Sequence, residues 1–434
     1  MISGQWSVIK EQATGNREQQ AFACKSPTEN REARFRAVDP RAGIRQLAVA
    51  IGMGAATLWL AGCKPRDFPQ YPPNYREYVY VTNGDSDTVT VIDVVNVRLD
   101  RELQVGRNPV AVAASPSRNE IYVVNEGAAN GSGSISVIDA EHNAVAATIA
   151  VRRQPVSIDL DATGDKAYVA NSGSNSVSVI DLKARREIAQ IGAGEEPAAA
   201  SLAADGKSLV VANRRGNSVT VIDAESGRVR AVFGDCPGAA GATILTDSSK
   251  AFIPCSAGHQ VMVIALKHGA QPDELETLMD VGRAPVDLAL KPDGGELFAS
   301  NSLSDSVSEI YNTTDEVGDT YMIGADPVRG LVSRDNALLY VANQRSQEVT
   351  VYSIDDGRRV SSIHVGDGPA ALALSAAGHL LFVADSRSGD VAVVRTATEQ
   401  LPNSPANYGE RFAFTLLPAG RDPNAIVDKA FTVK

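Results

Sequence analysis

Residues 80–93 read YVTNGDSDTVTVID, and this stretch decides the fold because its first four residues recur along the chain. The recurring unit is an aromatic or aliphatic residue, two small or β-branched residues, and an Asn or its substitute. It stands at 80–83, 122–125, 168–171, 210–213, 252–255, 298–301, 340–343 and 382–385. Successive copies are 42, 46, 42, 42, 46, 42 and 42 residues apart. A near-constant period of this length predicts a repeat architecture with one structural unit per copy.

Each copy carries the signals of four short strands. The tetrapeptide is followed by an alternating segment such as Val177-Ser178-Val179-Ile180-Asp181, and alternation is the mark of a strand. A third strand then ends in Gly-x-x-Pro, with Arg152 in place of the Gly in one copy. The eight prolines are Pro109, Pro155, Pro197, Pro237, Pro285, Pro327, Pro369 and Pro423. The residues after them are mostly small, which places this Pro-led strand innermost, where the blades of a β-propeller converge.

The repeat resembles the YVTN β-propeller family, whose eponymous tetrapeptide stands intact at 80–83. That resemblance implies four-stranded blades, often seven of them, and a periplasmic or cell-surface location. Eight copies of both signals predict an all-β propeller of eight antiparallel blades, with seven as the alternative. The first copy has no Pro-led strand before it, and the last Pro-led strand, 423–427, has no blade after it. We therefore expect the C-terminal strand to complete the first blade and to close the ring, which removes exposed sheet edges.

The segment before the propeller predicts export. Residues 47–60 (LAVAIGMGAATLWL) form an uncharged run that is too short to span a bilayer as a helix but fits the apolar region of a secretory signal. The run ends in Leu60-Ala61-Gly62-Cys63, which resembles a bacterial lipobox, and Lys64 after the Cys implies sorting to the outer membrane. We predict a leader and signal peptide at 1–62, lipidation of Cys63, a linker at 63–75 and the propeller at 76–434. The polar residues before the signal show no repeat, and we favour a start codon assigned too early.

The charge distribution argues against indiscriminate binding of nucleic acid. The chain carries 41 Lys and Arg against 52 Asp and Glu, a net charge of -11. Residues 1–62 hold eight basic and five acidic residues, so they contribute +3 and the rest of the chain contributes -14. A body with this charge repels polyanions on average.

Candidate ligand-binding residues lie on the face that carries the Gly-x-x-Pro loops. Arg152, Arg153, Arg214 and Arg215 could form a local anion site or part of a solvated rim of mixed charge. Asp287 and Arg329 hold the same repeat position, two after the Pro, in neighbouring blades. They are expected near the axis, either as an ion pair between blades or as a ligand clamp.

One disulfide is predicted, between Cys236 and Cys255. Cys236 directly precedes an innermost strand, and Cys255 replaces the Asn at the end of the strand beside it. These two ends should be adjacent, and an exported protein meets oxidising conditions.

The sequence favours a monomeric binding scaffold in the cell envelope, without catalytic residues, metal or cofactor. Its partner would be an envelope protein, a peptide or a glycan, and its contact with the membrane would be the lipid anchor. The alternative is a lactonase-like hydrolase at the channel mouth, recruiting Asp159, Asp287, Glu195 and Glu196. His259, the one His expected on that face, is interpreted as a solvated loop residue. A DNA-binding propeller is the least favoured reading.

Overall fold

The computed structural model describes residues 71–129, 131–267, 271–396 and 413–433. In these residues, 32 strands form eight four-stranded antiparallel sheets, which are the blades of a propeller. The prediction of eight blades is therefore confirmed, and the alternative of seven is wrong. The C-terminal strand joins the first blade, with register pairs from Tyr75–Thr432 to Asn83–Pro423, so the predicted closure is also confirmed.

The strands are numbered in chain order, and each blade is given from its innermost to its outermost strand. Blade 1 consists of β32 (Pro423–Thr432), β1 (Tyr75–Asn83), β2 (Thr88–Asp93) and β3 (Arg98–Gln104). Blade 2 consists of β4 (Pro109–Ala114), β5 (Glu120–Asn125), β6 (Ser132–Asp139) and β7 (Ala144–Arg153). Blade 3 consists of β8 (Pro155–Leu160), β9 (Lys166–Asn171), β10 (Ser176–Asp181) and β11 (Arg186–Gly192). Blade 4 consists of β12 (Pro197–Leu202), β13 (Ser208–Asn213), β14 (Ser218–Asp223) and β15 (Val229–Phe233). Blade 5 consists of β16 (Thr243–Ile244), β17 (Lys250–Cys255), β18 (Gln260–Ala265) and β19 (Glu274–Asp280). Blade 6 consists of β20 (Pro285–Leu290), β21 (Glu296–Asn301), β22 (Ser306–Tyr311) and β23 (Glu316–Met322). Blade 7 consists of β24 (Pro327–Val332), β25 (Leu338–Asn343), β26 (Glu348–Ser353) and β27 (Arg358–His364). Blade 8 consists of β28 (Pro369–Leu374), β29 (Leu380–Asp385), β30 (Asp390–Arg395) and β31 (Ala413–Pro418). Two short 3₁₀ turns, Gly84–Ser86 and Ser172–Ser174, follow the tetrapeptides of blades 1 and 3.

The Asn that ends the tetrapeptide holds a blade together from inside. Asn171 is fully buried, and its Nδ2 donates to Ser178 Oγ on the next strand at 2.9 Å. Asn343 makes the equivalent bond to Thr350 Oγ1, also at 2.9 Å. The Gly of the Gly-x-x-Pro loop packs against the same amide, since a Cβ at Gly324 would lie 2.5 Å from Asn343 Cγ. In a blade of this kind the two sequence signals depend on each other, because the Asn leaves room only for a Gly; blade 3, with Arg152 at the Gly position, is the exception.

The core of the protein lies between the blades. The second and third strands of a blade are buried on both faces, as in β2, where all six residues are buried. Both faces of these strands are therefore covered by neighbouring blades. The alternation in the sequence places larger apolar residues on one buried face and Thr or Ser on the other buried face, and no face of the strand meets solvent. At the closing seam, Val79 and Val81 of blade 1 pack with Phe382 and Val391 of blade 8. This packing adds apolar burial to the backbone hydrogen bonds that close the ring.

The two ends of the propeller carry different loops. The top face is defined here as the end with the loops after the tetrapeptides and with the Gly-x-x-Pro loops, and the bottom face is the opposite end. Strand β1 begins at Tyr75 on the bottom face, and β32 ends there at Thr432, its register partner. The chain therefore enters and leaves the propeller at the bottom face.

Candidate functional site

Side chains of the top loops bind the loops of the following blade. Asp87 adopts a left-handed backbone with a φ of 58°, and its Oδ1 accepts the N–H of Asn108 at 2.8 Å. His259 occupies the same position in blade 5, and its Nδ1 accepts the N–H of Ala284 at 3.1 Å. His259 is thus a connecting residue between two blades, and this bond requires an unprotonated Nδ1.

The upper part of the central channel is a cavity of 560 Å³ to which all eight innermost segments contribute. Small and aliphatic residues make up most of its wall, and several of its polar side chains bridge neighbouring blades. Ser201 Oγ donates to the carbonyl of Ala242 at 2.8 Å, and Thr243 Oγ1 donates to the carbonyl of Leu288 at 3.1 Å. These hydroxyl protons are therefore engaged within the wall.

Asp287 and Arg329 form an ion pair in this channel. Arg329 Nη1 lies 2.7 Å from Asp287 Oδ1, and the N–H of Gly330 donates to Asp287 Oδ2 at 2.8 Å. Only 12% of the Asp287 side chain is exposed, whereas 52% of Arg329 is exposed. Both carboxylate oxygens are thus engaged, while the guanidinium presents further donors to the channel. The structure contains the ion pair that the sequence offered as one alternative, and the ligand clamp stays a prediction.

The four arginines considered together from the sequence separate into two pairs. Arg152 forms an ion pair with Glu187 on the outer strand of blade 3, with Nη2 and Oε2 3.0 Å apart. Arg153 donates from Nη2 to the carbonyl of Gly173 at 2.6 Å. Neither residue lines the cavity beside Arg214 and Arg215, although Gly173, which Arg153 contacts, does. An anion site shared by all four stays a prediction.

Arg214 and Arg215 line a cavity of 520 Å³ over the top loops of blades 2, 3 and 4. A second cavity, of 420 Å³, lies over blades 1 and 2 and shares Glu126 and Gln154 with the first. We call the two together the trough. Its charged residues are Asp85, Asp87, Arg107, Glu126, Glu195, Glu196, Arg214 and Arg215. Five carboxylates against three guanidinium groups give the trough a formal charge of -2.

The acids proposed for a hydrolase are not brought together. Asp159 lines neither the channel cavity nor the trough, and its two oxygens accept the N–H groups of Leu160 at 2.9 Å and Leu202 at 2.8 Å. Burial raises the pKa of Asp159 above its ordinary value, against the effect of those two bonds. Glu195 and Glu196 lie in the trough, apart from Asp287 in the channel.

Blade 8 replaces the buried Asn with an acid. Asp385 is fully buried, and it faces Asp390 at the last register pair between β29 and β30. Burial, followed by the nearby Asp390 carboxyl, raises the pKa of Asp385 to about 8. At neutral pH this residue is therefore largely protonated, and a protonated carboxyl, like the amide of Asn, can donate a hydrogen bond.

Blade 5 departs most from the repeat, and sequence reasoning missed this. The structure joins Cys236 to Cys255, the pair expected from the sequence, with their Cα atoms 4.8 Å apart. The innermost strand of this blade is reduced to Thr243–Ile244, with one isolated bridge between Ala239 and Cys255. The signal was present in the spacing, because 18 positions separate Pro237 from Cys255, whereas 16 separate Pro from Asn in the next blade (Pro285 and Asn301). The two additional residues are Pro237 and Gly238, which form a turn, because Ala239 pairs with Cys255 as Pro285 pairs with Asn301 in blade 6. Residues 240–242 after this turn line the channel.

The remaining predictions concern the lipid anchor, a metal site and a membrane-spanning helix. Cys63, with the proposed leader, lies outside the described residues. In the described part of the chain, no group of three or more His, Cys, Asp or Glu is arranged to hold a metal ion. No helix in those same ranges has the length and apolar character needed to cross a membrane.

Comparison with known proteins places the fold. Residues 331–402, less than a fifth of the chain, match the family described as "Lactonase, 7-bladed beta-propeller". The chain shares the propeller fold. It has one blade more than that description names. A search of curated proteins found no match.

Solved structures support the same conclusion at low sequence identity. AztD of Citrobacter koseri is similar with a TM-score of 0.60 and 14% identity, over 83% of this chain and 99% of that one. A proposed 6-phosphogluconolactonase of Bacteroides fragilis gives a TM-score of 0.54 and 16% identity, over 69% and 98% of the two chains. Kuenenia stuttgartiensis hydrazine synthase gives 0.54 and 21%, over 67% and 96%. These similarities concern the fold, and the functions of those proteins are not transferred by them.

Proposed function

We propose that this protein is an exported, lipid-anchored binding scaffold of the cell envelope, and that its trough binds a polypeptide segment with net positive charge. The observation that carries the proposal is the trough itself, a concave surface across four blades with a formal charge of -2. Complementary charge across an interface increases the association rate and selects among partners.

The rigidity of the top loops supports a binding role. Hydrogen bonds such as that from the N–H of Glu196 to Asn175 Oδ1, at 2.9 Å, fix one loop against its neighbour. Asn108 Nδ2 similarly donates to Glu126 at the centre of the trough. A surface whose loops are already ordered loses less conformational entropy when a partner binds.

The position of the chain entry supports an anchored arrangement. Strand β1 begins at the bottom face, so a lipid on Cys63, twelve residues before Tyr75, would tether that face.

The test of the trough is site-specific photo-crosslinking in living cells. A photoreactive residue in place of Arg215, which is 72% exposed, should give discrete crosslinked partners. The matched control is the same residue in place of Arg358, which is 60% exposed at the start of an outer strand and lies outside the trough. Replacing Glu126 and Glu195 with Gln should weaken the crosslink, and added salt should do the same. Equal crosslinking from both positions would contradict the proposal.

The envelope location has a separate test. Mass spectrometry of the protein from its native membrane should find a mature N-terminus at Cys63 that carries lipid. A Cys63→Ser variant should release the protein from the membrane fraction. Another N-terminus, or an unmodified Cys63, would refute the anchor while leaving the trough proposal standing.

A hydrolase is the second candidate because residues 331–402 match the lactonase family. The geometry favours it less, since both oxygens of Asp287 are engaged by Arg329 and Gly330. Turnover of a lactone by the purified protein, abolished in Asp287→Ala and retained in the trough variants, would favour the hydrolase over the scaffold.

A further inference from the structure

The seam that closes the ring carries an acid where the other blades carry an aliphatic residue. Asp428, on the innermost strand of blade 1, pairs with Val79. The residues at the corresponding register position of the other blades are Ala114, Leu160, Leu202, Ile244, Leu290, Val332 and Leu374. A buried acid costs free energy unless it is neutralised or hydrogen-bonded. The seam therefore lacks stability that an aliphatic residue at this position would supply.

Asp428 lies beside a second acid, Glu77 of strand β1, close enough to donate a hydrogen bond to it when protonated. Glu77 is 1% exposed, and its Oε1 accepts the N–H of Ala376, in the bottom turn of blade 8, at 2.7 Å. Its Oε2 accepts the hydroxyl of Tyr75 at 2.5 Å, and Tyr71 stacks on Tyr75 with ring centroids 4.7 Å apart. Glu77 thus connects blade 1, blade 8 and the segment through which the chain enters the propeller.

The groups around Asp428 leave its negative charge poorly compensated. Asp428 Oδ1 is buried and accepts no hydrogen bond from the described residues. Burial, followed by the nearby Glu77 carboxyl, raises the pKa of Asp428 to about 8. The charge of Arg334, in the bottom turn of blade 7, and the N–H of Lys429 oppose this shift without cancelling it. The Lys429 ammonium instead donates to the carbonyl of Ser115 in blade 2 at 2.6 Å.

We propose that Asp428 and Glu77 form a proton-dependent latch on the closed ring. With one proton on the pair, Asp428 donates to Glu77 and ties β32 to β1 and to the bottom turn of blade 8. Without that proton, two carboxylates lie side by side in a buried site, and their repulsion loosens β32 and residues 71–75. Asp428 is protonated in the closed seam and ionised in an open one, so the latch is strongest below pH 4 and weakens as the pH rises towards 8. This latch is separate from the trough, and either proposal can fail without the other.

The test is hydrogen–deuterium exchange of the purified full-length protein at pH 5, 6, 7 and 8, with rates corrected for the intrinsic effect of pH. Protection of the amides at 75–79 and 428–432 should fall by up to about tenfold per pH unit, which is the most that one proton contributes. The amides of β25, in blade 7, report opening away from the seam in the same sample and should lose less protection.

Two variants remove the titrating group by different means. Asp428→Asn supplies an amide that donates to Glu77 at any pH, and Asp428→Leu introduces the residue found at this position in blades 3, 4, 6 and 8. In both variants, protection of the seam should stay constant from pH 5 to 8. Asp385→Asn is the matched control, because it replaces another buried acid with a raised pKa, in blade 8, and should leave the pH dependence of the seam unchanged.

Two results would overturn the latch. One is protection of the wild-type seam that does not change between pH 5 and 8. The other is a change of the same size in Asp428→Asn or Asp428→Leu, since the proton responsible would then lie on another group.

Discussion

Restoring the repeat residue in blade 8 should stabilise the protein in a manner that depends on pH. Asp385 stands where six other blades place an Asn, and it is fully buried against Asp390. In Asp385→Asn the amide takes the place of the acid without a change in shape, and it can donate a hydrogen bond at any pH. The variant therefore removes a group that must stay protonated inside the fold.

The sign follows from the raised pKa. Asp385 has a pKa of about 8 in the folded protein against an ordinary value of 3.8. The contribution of protonated Asp385 to the free energy of unfolding is therefore fully present below pH 4 and is lost as the pH rises towards 8. One proton changes the free energy of unfolding by at most about 1.4 kcal/mol per pH unit, which sets an upper limit of about 4 kcal/mol at pH 7. We expect about 2 kcal/mol after relaxation of the site, or a gain of about 3 °C in melting temperature for a chain of this length.

The assay is differential scanning calorimetry of wild type and Asp385→Asn at pH 4, 6 and 8. The gain should be near zero at pH 4 and largest at pH 8. Asn343→Asp makes the reverse change in blade 7, opposite Glu348, and should lose stability with rising pH. Asp367→Asn removes a partly exposed acid in the loop that leads into blade 8, where it pairs with Arg387, and should shift the melting temperature little. An equal gain at pH 4 and pH 8 would refute proton linkage as the cause.

Three further outcomes are expected. Deletion of residues 422–434 should expose the edge of blade 1 and produce aggregates in size-exclusion chromatography, whereas a monomeric truncation of unchanged stability would refute the role of the closing strand. Replacing both Cys236 and Cys255 with Ser should cost about 3 kcal/mol by the loop-entropy argument, measured by denaturant unfolding with and without reductant, and an unchanged midpoint would contradict it. Tyr80→Phe removes the buried hydrogen bond to Asn143 Oδ1 at 2.6 Å and should cost about 1–2 kcal/mol; the same unfolding curves would show no loss if that bond contributes nothing.

Most of the fold could be predicted because its determinants repeat. The tetrapeptide position and the Pro that begins the innermost segment each occur eight times, and their offset at the two ends implies the closing strand. The structure supplies the reason for the pattern, since Asn343 both bridges two strands and fixes Gly324. A determinant that each blade needs leaves a periodic trace in the sequence.

The candidate sites could be predicted less well because they depend on departures from the repeat. Arg152 and Arg214 are both arginines at the top face, yet one pairs with Glu187 on an outer strand and the other lines the trough. Side-chain direction is not encoded in spacing, so the sequence could not separate them. The irregular start of the innermost strand in blade 5 was detectable from the two additional residues between Pro237 and Cys255, but the place of residues 240–242 in the channel wall required the structure.

The closing strand makes folding of the ring depend on synthesis of the last residues of the chain. Among the described residues, blade 1 contains the first strands to emerge, but its innermost strand begins only at Pro423. Until then β1 presents one unpaired edge, and Val79 and Val81 lack the blade 8 residues that cover them. A chain that stops early therefore never completes a ring and stays open to proteases and chaperones. Ring closure therefore follows the synthesis of Pro423–Thr432, and we expect chains that stop before Pro423 to be digested faster by proteases.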